Sequence, residues 1–475
     1  MTDTVSVALD GWCDPAALFP LLIGQGDGAW LDSSSATIEG SAGRESATSY
    51  LAIPSGASRI ASESPQGVSV RRVDGFGDSQ NYSEGILDFL RRDLAKFAAA
   101  PRDISPAGFQ LGWVGWLGYE SGARQAGASV ATSRYPDAAL LFADRAVRFD
   151  HARRTVTALA LVGDESDAWA RQVQEAMGRA ATDADRAQAE QAAAFTHQQL
   201  PDAAPMWRHD DAGYLQLIAQ CQDAIARGDA YQLCLTNEAR VPVMPDPLQA
   251  YLALRASSPT HHGGLIRIAG VCLLSASPEQ FLSISRDGVV RTRPIKGTRP
   301  RGATPEQDRG FAAELQANLK ERAENTMIVD LMRNDLGRVA RVGSVTVPEL
   351  LAVESYAQVH QLVSTVQATL AQGASGADAV AACFPAGSMT GAPKLSAMNI
   401  LHGLEAGPRG IYGGCFGYFG LDGVIDLAMV IRSIVLADDG ASIGAGGGIT
   451  ALSVPEEEVA EMHLKAEALL AAVNS

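Results

Sequence analysis

Three Asp-Gly pairs in the second half of the 475-residue sequence each separate two apolar, β-like runs. The three segments read FLSISR-DG-VVRTR, FGYFGL-DG-VIDLAMVI and SIVLAD-DG-ASIGA. Asp-Gly between alternating apolar residues is a strong hairpin signal, because two-residue type I′ turns need positive φ. We therefore predict three local hairpins and antiparallel sheet. Helical segments lie between and after these strands without a regular βαβ alternation, so the predicted fold class is α+β.

The bulk composition is typical of a globular protein, with 47% hydrophobic and 19% charged residues. We divide the chain into three regions: residues 1–165, a helix and connector at 166–208, and residues 209–475, which hold the hairpins. No signal peptide or membrane-spanning run is visible. The six cysteines form no CxxC pair and fit free thiols in a reducing compartment. We therefore predict a cytoplasmic protein without membrane association.

The stretch RTRPIKGTRPRG, residues 291–302, places one lysine among four arginines in a chain of net charge −16. A basic cluster is typical of phosphate or nucleic-acid binding. The acidic chain argues against a large polyanion, although a nucleic-acid-binding module stays as an alternative from another functional class. The remaining interpretations are a solvated loop, a small-anion site, or an active-site element that needs the amine of Lys296.

The first predicted hairpin suggests what faces this lysine. With Asp287 and Gly288 as a two-residue turn, Ser285 lies opposite Val290, and the same register places Glu279 opposite Lys296. Opposed Cβ atoms lie about 4.5–5.5 Å apart, so a carboxylate and an amine would meet on one face. An ordinary cross-strand ion pair explains this pairing equally well, and the nearby prolines could introduce a bulge.

Two pairs of glutamates suggest a metal site. Glu321 and Glu324 are three residues apart in one helical segment, and Glu458 and Glu461 repeat that spacing in another, with Lys465 one turn later. Carboxylates on separate helices suit Mg²⁺, which takes oxygen ligands and retains waters. Solvated helix faces are the alternative, because most such pairs are simply exposed.

The third predicted hairpin adds a possible ligand-binding arginine. Its two-residue turn would place Arg432 opposite Gly447, within the glycine-rich IGAGGGI. An arginine that faces bare backbone leaves space for a carboxylate ligand. A strand packed closely on its neighbour would give the same pattern.

Several long motifs, in the same order, resemble the chorismate-utilising synthases, which include the first components of anthranilate synthase and aminodeoxychorismate synthase. The motifs are PIKGTRPRG, AENTMIVDLMRNDLGR, VHQLVS, FPAGSMTGAPK, IYGGCFGYFG and GAGGGI. The resemblance is dense over residues 210–470 and looser over the first region. It implies a layered α/β/β/α core of antiparallel sheets flanked by helices, as in anthranilate synthase component I.

The third position of PIxGT distinguishes the branches of the family. Anthranilate synthases carry alanine there, whereas this chain carries Lys296 and so resembles aminodeoxychorismate synthase component I. The resemblance implies that the lysine attacks C2 of chorismate as the 4-hydroxyl leaves, after which ammonia enters at C4. A nucleophilic lysine must be neutral, so we expect burial and the neighbouring arginines 293, 299 and 301 to lower its pKa.

The resemblance also implies roles for other residues. Glu279 would give or take a proton at the 4-position, and His360 occupies the general acid/base position of the anthranilate branch, where positioning is the expected role here. Mg²⁺ would be bound by Glu324 and Glu461, with Glu321 and Glu458 supporting it through waters. The predicted substrate-binding residues are Gly297, Thr298, Ser388, Tyr412, Arg432, Gly444, Ala445, Gly446 and Lys465.

The predicted substrates are chorismate and ammonia, for 4-aminobenzoate and folate synthesis. We find no glutamine-hydrolysing module in the sequence, so the resemblance implies a transient glutamine amidotransferase subunit as the source of ammonia. Anthranilate synthase component I is the alternative enzyme. The chain departs from the family at Cys234 and at the pair His261-His262, and WLDSSS (30–35) lies where relatives build a tryptophan pocket.

Overall fold

A computed structural model describes most of the chain. The described residues are 4–33, 48–97, 108–163, 166–191, 204–356 and 359–474. The last two serines of the WLDSSS motif lie outside them. No helix in the described ranges is long and apolar enough to cross a bilayer.

Strands and helices alternate irregularly along the described chain. The strands are β1 (Thr4–Leu9), β2 (Gly28–Asp32), β3 (Thr48–Ile53), β4 (Arg59–Ser64), β5 (Gly67–Arg72), β6 (Gln80–Tyr82), β7 (Gly112–Leu117), β8 (Ala138–Ala143), β9 (Arg145–Asp150), β10 (Thr155–Leu161), β11 (Met206–Trp207), β12 (Gln232–Val241), β13 (His262–Ile268), β14 (Val271–Ser277), β15 (Gln280–Ile284), β16 (Val289–Thr292), β17 (Ile295–Pro300), β18 (Thr346–Ser355), β19 (Val359–Thr369), β20 (Gly391–Ala392), β21 (Cys415–Gly420), β22 (Ile425–Met429), β23 (Ser433–Ala437) and β24 (Gly440–Ile449). The helices are α1 (Pro15–Leu22), α2 (Ile86–Ala95), α3 (Tyr119–Gln125), α4 (Ser166–Gln191), α5 (Asp211–Ala226), α6 (Pro247–Ser257), α7 (Pro305–Ala317), α8 (Leu319–Gly337), α9 (Gly376–Cys383), α10 (Lys394–Glu405) and α11 (Pro455–Val473).

The described strands form two 12-stranded sheets in which every pairing is antiparallel. The first sheet has the order β1-β10-β9-β3-β2-β13-β14-β23-β24-β12-β11, with β20 paired to β12. The second has the order β17-β19-β16-β15-β22-β21-β7-β8-β4-β5-β6, with β18 paired to β19. Both sheets therefore combine strands from residues 1–165 with strands from residues 209–475.

The side chains of neighbouring residues in the first sheet pack into two different hydrophobic cores. In β2, Ala29 joins the core that also contains the second sheet, whereas Trp30 joins the core formed with the outer helices. Ile266 and Leu265 divide in the same way in β13. Strands that are buried on both faces read as continuous apolar runs. Helices cover the outer faces of both sheets, and the predicted α+β class with layered antiparallel sheets is confirmed.

All three predicted hairpins are present, as β15–β16, β21–β22 and β23–β24. The registers predicted for the first and the third are wrong. In the first, Ile284 rather than Ser285 pairs with Val290. The loop there has three residues, and Gly288 takes a φ of 73° at its last position instead of the second position of a two-residue turn.

A buried ion pair between Arg409 and Glu405 lies where several elements of the chain meet. The side chains of Arg409 and Glu405 are only 1% and 3% exposed, and two guanidinium nitrogens lie 2.6 and 2.8 Å from the carboxylate. Arg409 also donates to the carbonyl oxygen of Cys234 at 2.8 Å and lies over the Tyr119 ring. Its backbone amide donates to Glu120, so strand β12 and helices α3 and α10 meet at this one side chain.

We expect Arg409→Met to lower the free energy of unfolding by about 3–5 kcal/mol, because it leaves the Glu405 carboxylate buried without its counter-ion. Urea unfolding followed by circular dichroism measures this change. Arg309→Met is the matched control, since its partner Glu306 is 76% exposed, and it should change stability by less than about 0.5 kcal/mol. Equal effects of the two substitutions would contradict the assigned importance of the buried pair.

Candidate active site

Lys296 and Glu279 come together, but not as the predicted cross-strand pair. Strand β17, which carries Lys296, pairs with β19 and not with β15. Strands β16 and β17 follow one another along the same edge of β19, with Pro294 between them. The Glu279 carboxylate, just before β15, accepts hydrogen bonds from the Ser388 hydroxyl and from the backbone amide of Ile295, the residue next to Lys296.

The environment of Glu279 brings the pKa of its carboxyl group close to neutral. Burial raises the pKa of Glu279 to about 7, although the Lys296 ammonium and the hydrogen bonds from Ser388 and Ile295 lower it. Only 7% of the residue is exposed. A carboxyl group with this pKa can both accept and release a proton in a reaction near pH 7.

The predicted lowering of the Lys296 pKa is wrong. Burial lowers this pKa, but the negative charges of Glu324, Glu279 and Glu461 outweigh burial, so the pKa of Lys296 lies above its usual value. The free protein therefore holds Lys296 as an ammonium group. It has to lose a proton before it can act as a nucleophile.

The arginines around Lys296 are occupied by other partners. Arg293 pairs with Glu354, and Arg299 lies 2.5 Å from Glu314. Arg301 lies 2.8 Å from Asp308, and Arg291 donates to Gln367 at 2.8 Å. These contacts explain why the arginines do not lower the pKa of Lys296. They also leave no free basic patch in this stretch for a nucleic acid.

The predicted carboxylates lie on α8 and α11, which meet beside Lys296. Glu324 and Glu458 are buried, at 6% and 5% exposure. Burial raises the pKa of Glu324 despite the nearby ammonium groups of Lys296 and Lys320. Burial would raise the pKa of Glu461, but the net shift is downward, because three nearby ammonium groups favour its charged form. They belong to Lys465, Lys320 and Lys296. The same two ammonium groups, those of Lys296 and Lys320, therefore act to lower the pKa of a carboxylate on each helix.

The chemistry of this cluster fits Mg²⁺. Among the described residues, no three His, Cys, Asp or Glu side chains are placed so that they could hold an ion by themselves. Mg²⁺ needs only one or two protein carboxylates, because waters and substrate oxygens complete its shell. The glycine at position 447 keeps the strand clear of the cluster, because a Cβ there would lie 3.0 Å from Glu458 Oε2, whereas the space beside Gly448 is taken by the Gln232 side chain, whose Nε2 would lie 2.3 Å from a Cβ.

Glu321 lies at the edge of this cluster. It is 3.6 Å from Arg299, and a Cβ on Gly297 would come within 2.9 Å of its carboxyl carbon. Gly297 also has a φ of 82°, so both its backbone conformation and its surroundings require glycine. Thr298, the next residue, is exposed and pairs with Gln361 of β19.

Arg432 lies beside the glycine-rich strand β24, but its predicted pairing with Gly447 is wrong. The β23–β24 ladder pairs Ala437 with Gly440, two residues away from the predicted register, and Arg432 precedes it with a φ of 51°. Burial lowers the pKa of Arg432, although Tyr412 and Glu461 oppose this effect. Its guanidinium group donates a hydrogen bond to the carbonyl oxygen of Lys465, at 3.3 Å. The structure thus places a half-buried guanidinium here with no carboxylate partner among the described residues.

The other predicted substrate contacts surround Arg432. A Cβ on Gly444 would overlap the ring of Tyr412, so the glycine is needed for the half-buried tyrosine to lie against β24. Lys465 Nζ lies 2.7 Å from the carbonyl oxygen of Gly446 and 2.6 Å from Glu461 Oε1. The side chain of Ala445 instead belongs to the core beneath the sheet, so only its backbone can face a ligand.

His360 is fixed by two hydrogen bonds within the protein. Its Nε2 lies 2.9 Å from Asp308 Oδ1, and its Nδ1 lies 2.8 Å from the Ser355 hydroxyl. The residue is only 2% exposed. With both ring nitrogens occupied, the arrangement favours a positioning role.

Sequence reasoning missed Lys320. Its ammonium group lies 3.1 Å from Glu458 Oε1 and 4.0 Å from Glu324 Oε1. The spacing of Lys320 and Glu324 on one helix was a usable signal. The contact with Glu458 on another helix had no local signal in the sequence.

The sequence and the fold match a known class of enzymes. The model of the family described as chorismate binding enzyme matches residues 63–471. The chain belongs to the chorismate binding enzyme family. The crystal structure of anthranilate synthase component I from Streptococcus pneumoniae TIGR4 is similar, with a TM-score of 0.73, 25% sequence identity, and coverage of 91% of this chain and 94% of that one.

Relatives from both branches of the family are similar in sequence. The aminodeoxychorismate synthase of Streptomyces pristinaespiralis is 47% identical over 410 residues, which cover 85% of this chain and 56% of that protein. Anthranilate synthase component 1 of Streptomyces coelicolor is 39% identical over 405 residues, covering 82% of this chain and 77% of that protein. The chain thus spans little more than half the length of the first relative.

Proposed function

We propose that this protein catalyses the amination of chorismate at C4, giving 4-amino-4-deoxychorismate and water from chorismate and ammonia. The observation that carries the proposal is Lys296, in PIKGT, with its charge coupled to a glutamate whose pKa is about 7. The similarity to an aminodeoxychorismate synthase at 47% identity supports it. The anthranilate branch, which the second relative represents, is the competing assignment.

The reaction begins with a proton transfer, because Lys296 starts as an ammonium group. Glu279 takes this proton and then gives it to the 4-hydroxyl, which leaves as water. The neutral amine forms a C–N bond at C2 as the two ring double bonds shift toward C4. Ammonia then bonds to C4, the double bonds shift back, and the C2–N bond breaks to release Lys296.

The substrate is held by charge on two sides. Arg432 and Lys465, with the Tyr412 hydroxyl and the backbone of Gly444 and Gly446, face the volume in which two carboxylates would lie. Glu324 and Glu461 would hold Mg²⁺, with Glu321 and Glu458 acting through waters. When bound, the ion would supply a positive charge that offsets these carboxylates and a coordination site for a substrate carboxylate.

The source of ammonia is part of the proposal. We propose a separate glutamine amidotransferase subunit that associates transiently, and a cytoplasmic setting in which the six buried cysteines stay as free thiols. His360 would position β17 and α7 and would not expel pyruvate, since the proposed reaction retains the enolpyruvyl group. Another enzyme would convert the product to 4-aminobenzoate for folate synthesis.

Product analysis tests the proposed function. The protein is incubated with chorismate, an ammonium salt and Mg²⁺, and the products are separated by chromatography and weighed. We expect 4-amino-4-deoxychorismate without release of pyruvate. Formation of anthranilate with an equal amount of pyruvate would refute the proposal and support the anthranilate synthase reaction instead. Unchanged chorismate would refute both reactions.

We expect the rate of the proposed reaction to fall as the pH drops through about 7, because a protonated Glu279 cannot accept the proton of Lys296. Ser388→Ala removes a hydrogen bond that lowers the pKa of Glu279. The acid limb of the kcat/KM profile, which reports the free protein, should therefore move to higher pH, by roughly 0.5 to 1 unit. Ser396→Ala, whose hydroxyl donates to the Asp229 carbonyl on an exposed part of the surface, is the control and should leave the profile unchanged. An acid limb that does not move in Ser388→Ala would contradict the role assigned to Glu279.

A further inference from the structure

Lys320 lies where two buried carboxylates need a cation. Its Nζ is 3.1 Å from Glu458 Oε1 on α11 and 4.0 Å from Glu324 Oε1 on its own helix. The two glutamate side chains are only 4% and 8% exposed, whereas the lysine side chain is 35% exposed. The lysine thus reaches from solvent into the cluster and is the only cation within 4.0 Å of Glu458 among the described ion pairs.

The position of Lys320 on α8 does not by itself favour a cation. Asn318 caps this 19-residue helix by accepting a hydrogen bond from the Glu321 amide, so Lys320 is the second helical residue. The N-terminal turn of a helix carries partial positive charge and disfavours lysine. The carboxylates of Glu458 and Glu324 therefore supply the attraction that holds the ammonium group here.

We propose that Lys320 occupies the cation position of this cluster in the free protein and has to withdraw when a divalent cation binds. The inference rests on the proposed Mg²⁺ site of the preceding section. An ion bound to Glu324, with Glu458 supporting it through water, would lie beside the ammonium group of Lys320, and the repulsion between the two cations is weakly screened there. With one-third of its side chain in solvent, Lys320 can withdraw without unfolding α8.

This arrangement makes Lys320 a competitor of the metal. While the ammonium is in place, the buried carboxylates are compensated and the protein needs no metal for stability. Binding of Mg²⁺ then includes the loss of the Lys320 contacts, which weakens the observed affinity. The affinity for Mg²⁺ in the absence of substrate is thus set partly by a residue that does not bind the metal.

Isothermal titration calorimetry of the whole chain with MgCl₂, without chorismate, tests the proposal. Lys320→Met removes the competing charge and should bind Mg²⁺ about ten-fold more tightly than the unmodified protein. Arg322→Met is the matched control, because it removes an exposed positive charge from the same turn of α8, and it should change the affinity by less than two-fold. Equal or weaker binding by Lys320→Met would overturn the proposal.

A second measurement avoids dependence on the folding of Lys320→Met. The sequence has only five lysines, so reductive ¹³C-methylation gives few dimethyl-lysine NMR signals, and Lys320→Arg identifies the one from Lys320. Adding MgCl₂ should shift this signal toward that of a solvated lysine, while the signal of Lys96, which pairs with Asp93 far along the chain, stays in place. An unchanged Lys320 signal at saturating Mg²⁺ would overturn the proposal.

The outcomes separate this inference from the proposed function. If the unmodified protein forms 4-amino-4-deoxychorismate and binds Mg²⁺, but Lys320→Met binds it no more tightly, only the competition is refuted. If the unmodified protein binds no Mg²⁺, the metal site itself is wrong and the competition falls with it. If Mg²⁺ binding responds as expected but the product is anthranilate, the competition stands and the assigned reaction is wrong.

Discussion

Replacing Lys296 by alanine should abolish the formation of 4-amino-4-deoxychorismate, with a loss of at least about a thousand-fold in kcat. The amine forms and breaks the bond to C2, and no other lysine of the chain is placed to substitute for it. Lys465 is held by Glu461 and by the Gly446 carbonyl. Initial rates with chorismate, ammonium and Mg²⁺ measure the loss.

Folding and substrate binding should survive this substitution. Lys296 is only half-buried, and Arg432 and Lys465 remain to hold the substrate carboxylates. Thermal unfolding and calorimetric titration with chorismate check both points, and Lys96→Ala is the control for loss of a lysine, because its side chain is 55% exposed and its partner Asp93 keeps the contact with Arg59. If Lys296→Ala aminates chorismate at nearly the original rate, the lysine is only an electrostatic clamp.

The covalent step can also be observed directly. The unmodified protein is incubated with chorismate and Mg²⁺ without ammonia, digested, and its peptides are weighed. The peptide that contains Lys296 should gain the mass of chorismate less one water, and the Lys296→Ala protein should show no such gain. The alanine variant should release some anthranilate, because direct attack of ammonia at C2 becomes sterically possible.

Glu461→Gln and Glu324→Gln should each lower turnover by at least about a thousand-fold at low Mg²⁺, because each removes a charged oxygen ligand of the proposed ion. Both helices should still fold. Glu461 is 49% exposed at its side chain, and Gln at position 324 keeps the shape of a side chain that is only 8% exposed. Activity and Mg²⁺ titration by calorimetry should decline together.

The control for the metal ligands lies on the same helix. Glu467 is an exposed residue of α11, and Glu467→Gln should retain full activity and Mg²⁺ affinity. EDTA should abolish the activity of the unmodified protein, and excess Mg²⁺ should restore that activity. Normal turnover by Glu461→Gln at low Mg²⁺ would remove this residue from the metal site, whatever the behaviour of Glu324→Gln.

Local patterns in the sequence predicted the elements of the fold but not how the strands align. Asp-Gly between apolar runs correctly predicted three hairpins, because positive φ is a property of the turn residues themselves. The register failed by one residue at Gly288, since the same dipeptide fits a loop of three residues as well as one of two. Lys296 was also assigned to the wrong strand partner, because Pro294 separates β16 from the following strand β17, which pairs with β19, more than 60 residues further along the chain.

The sequence by itself determined which residues could share a helix face, such as Glu321 with Glu324, and which motifs resemble a family. Only the tertiary structure determined the pKa values of the residues in the site. The pKa of Lys296 is raised, not lowered, because carboxylates from α8, α11 and the segment before β15 converge on it while its neighbouring arginines pair elsewhere. The contact of Lys320 with Glu458 joins residues 138 positions apart. Such effects sum burial and charge over distant segments, and no local pattern records that sum.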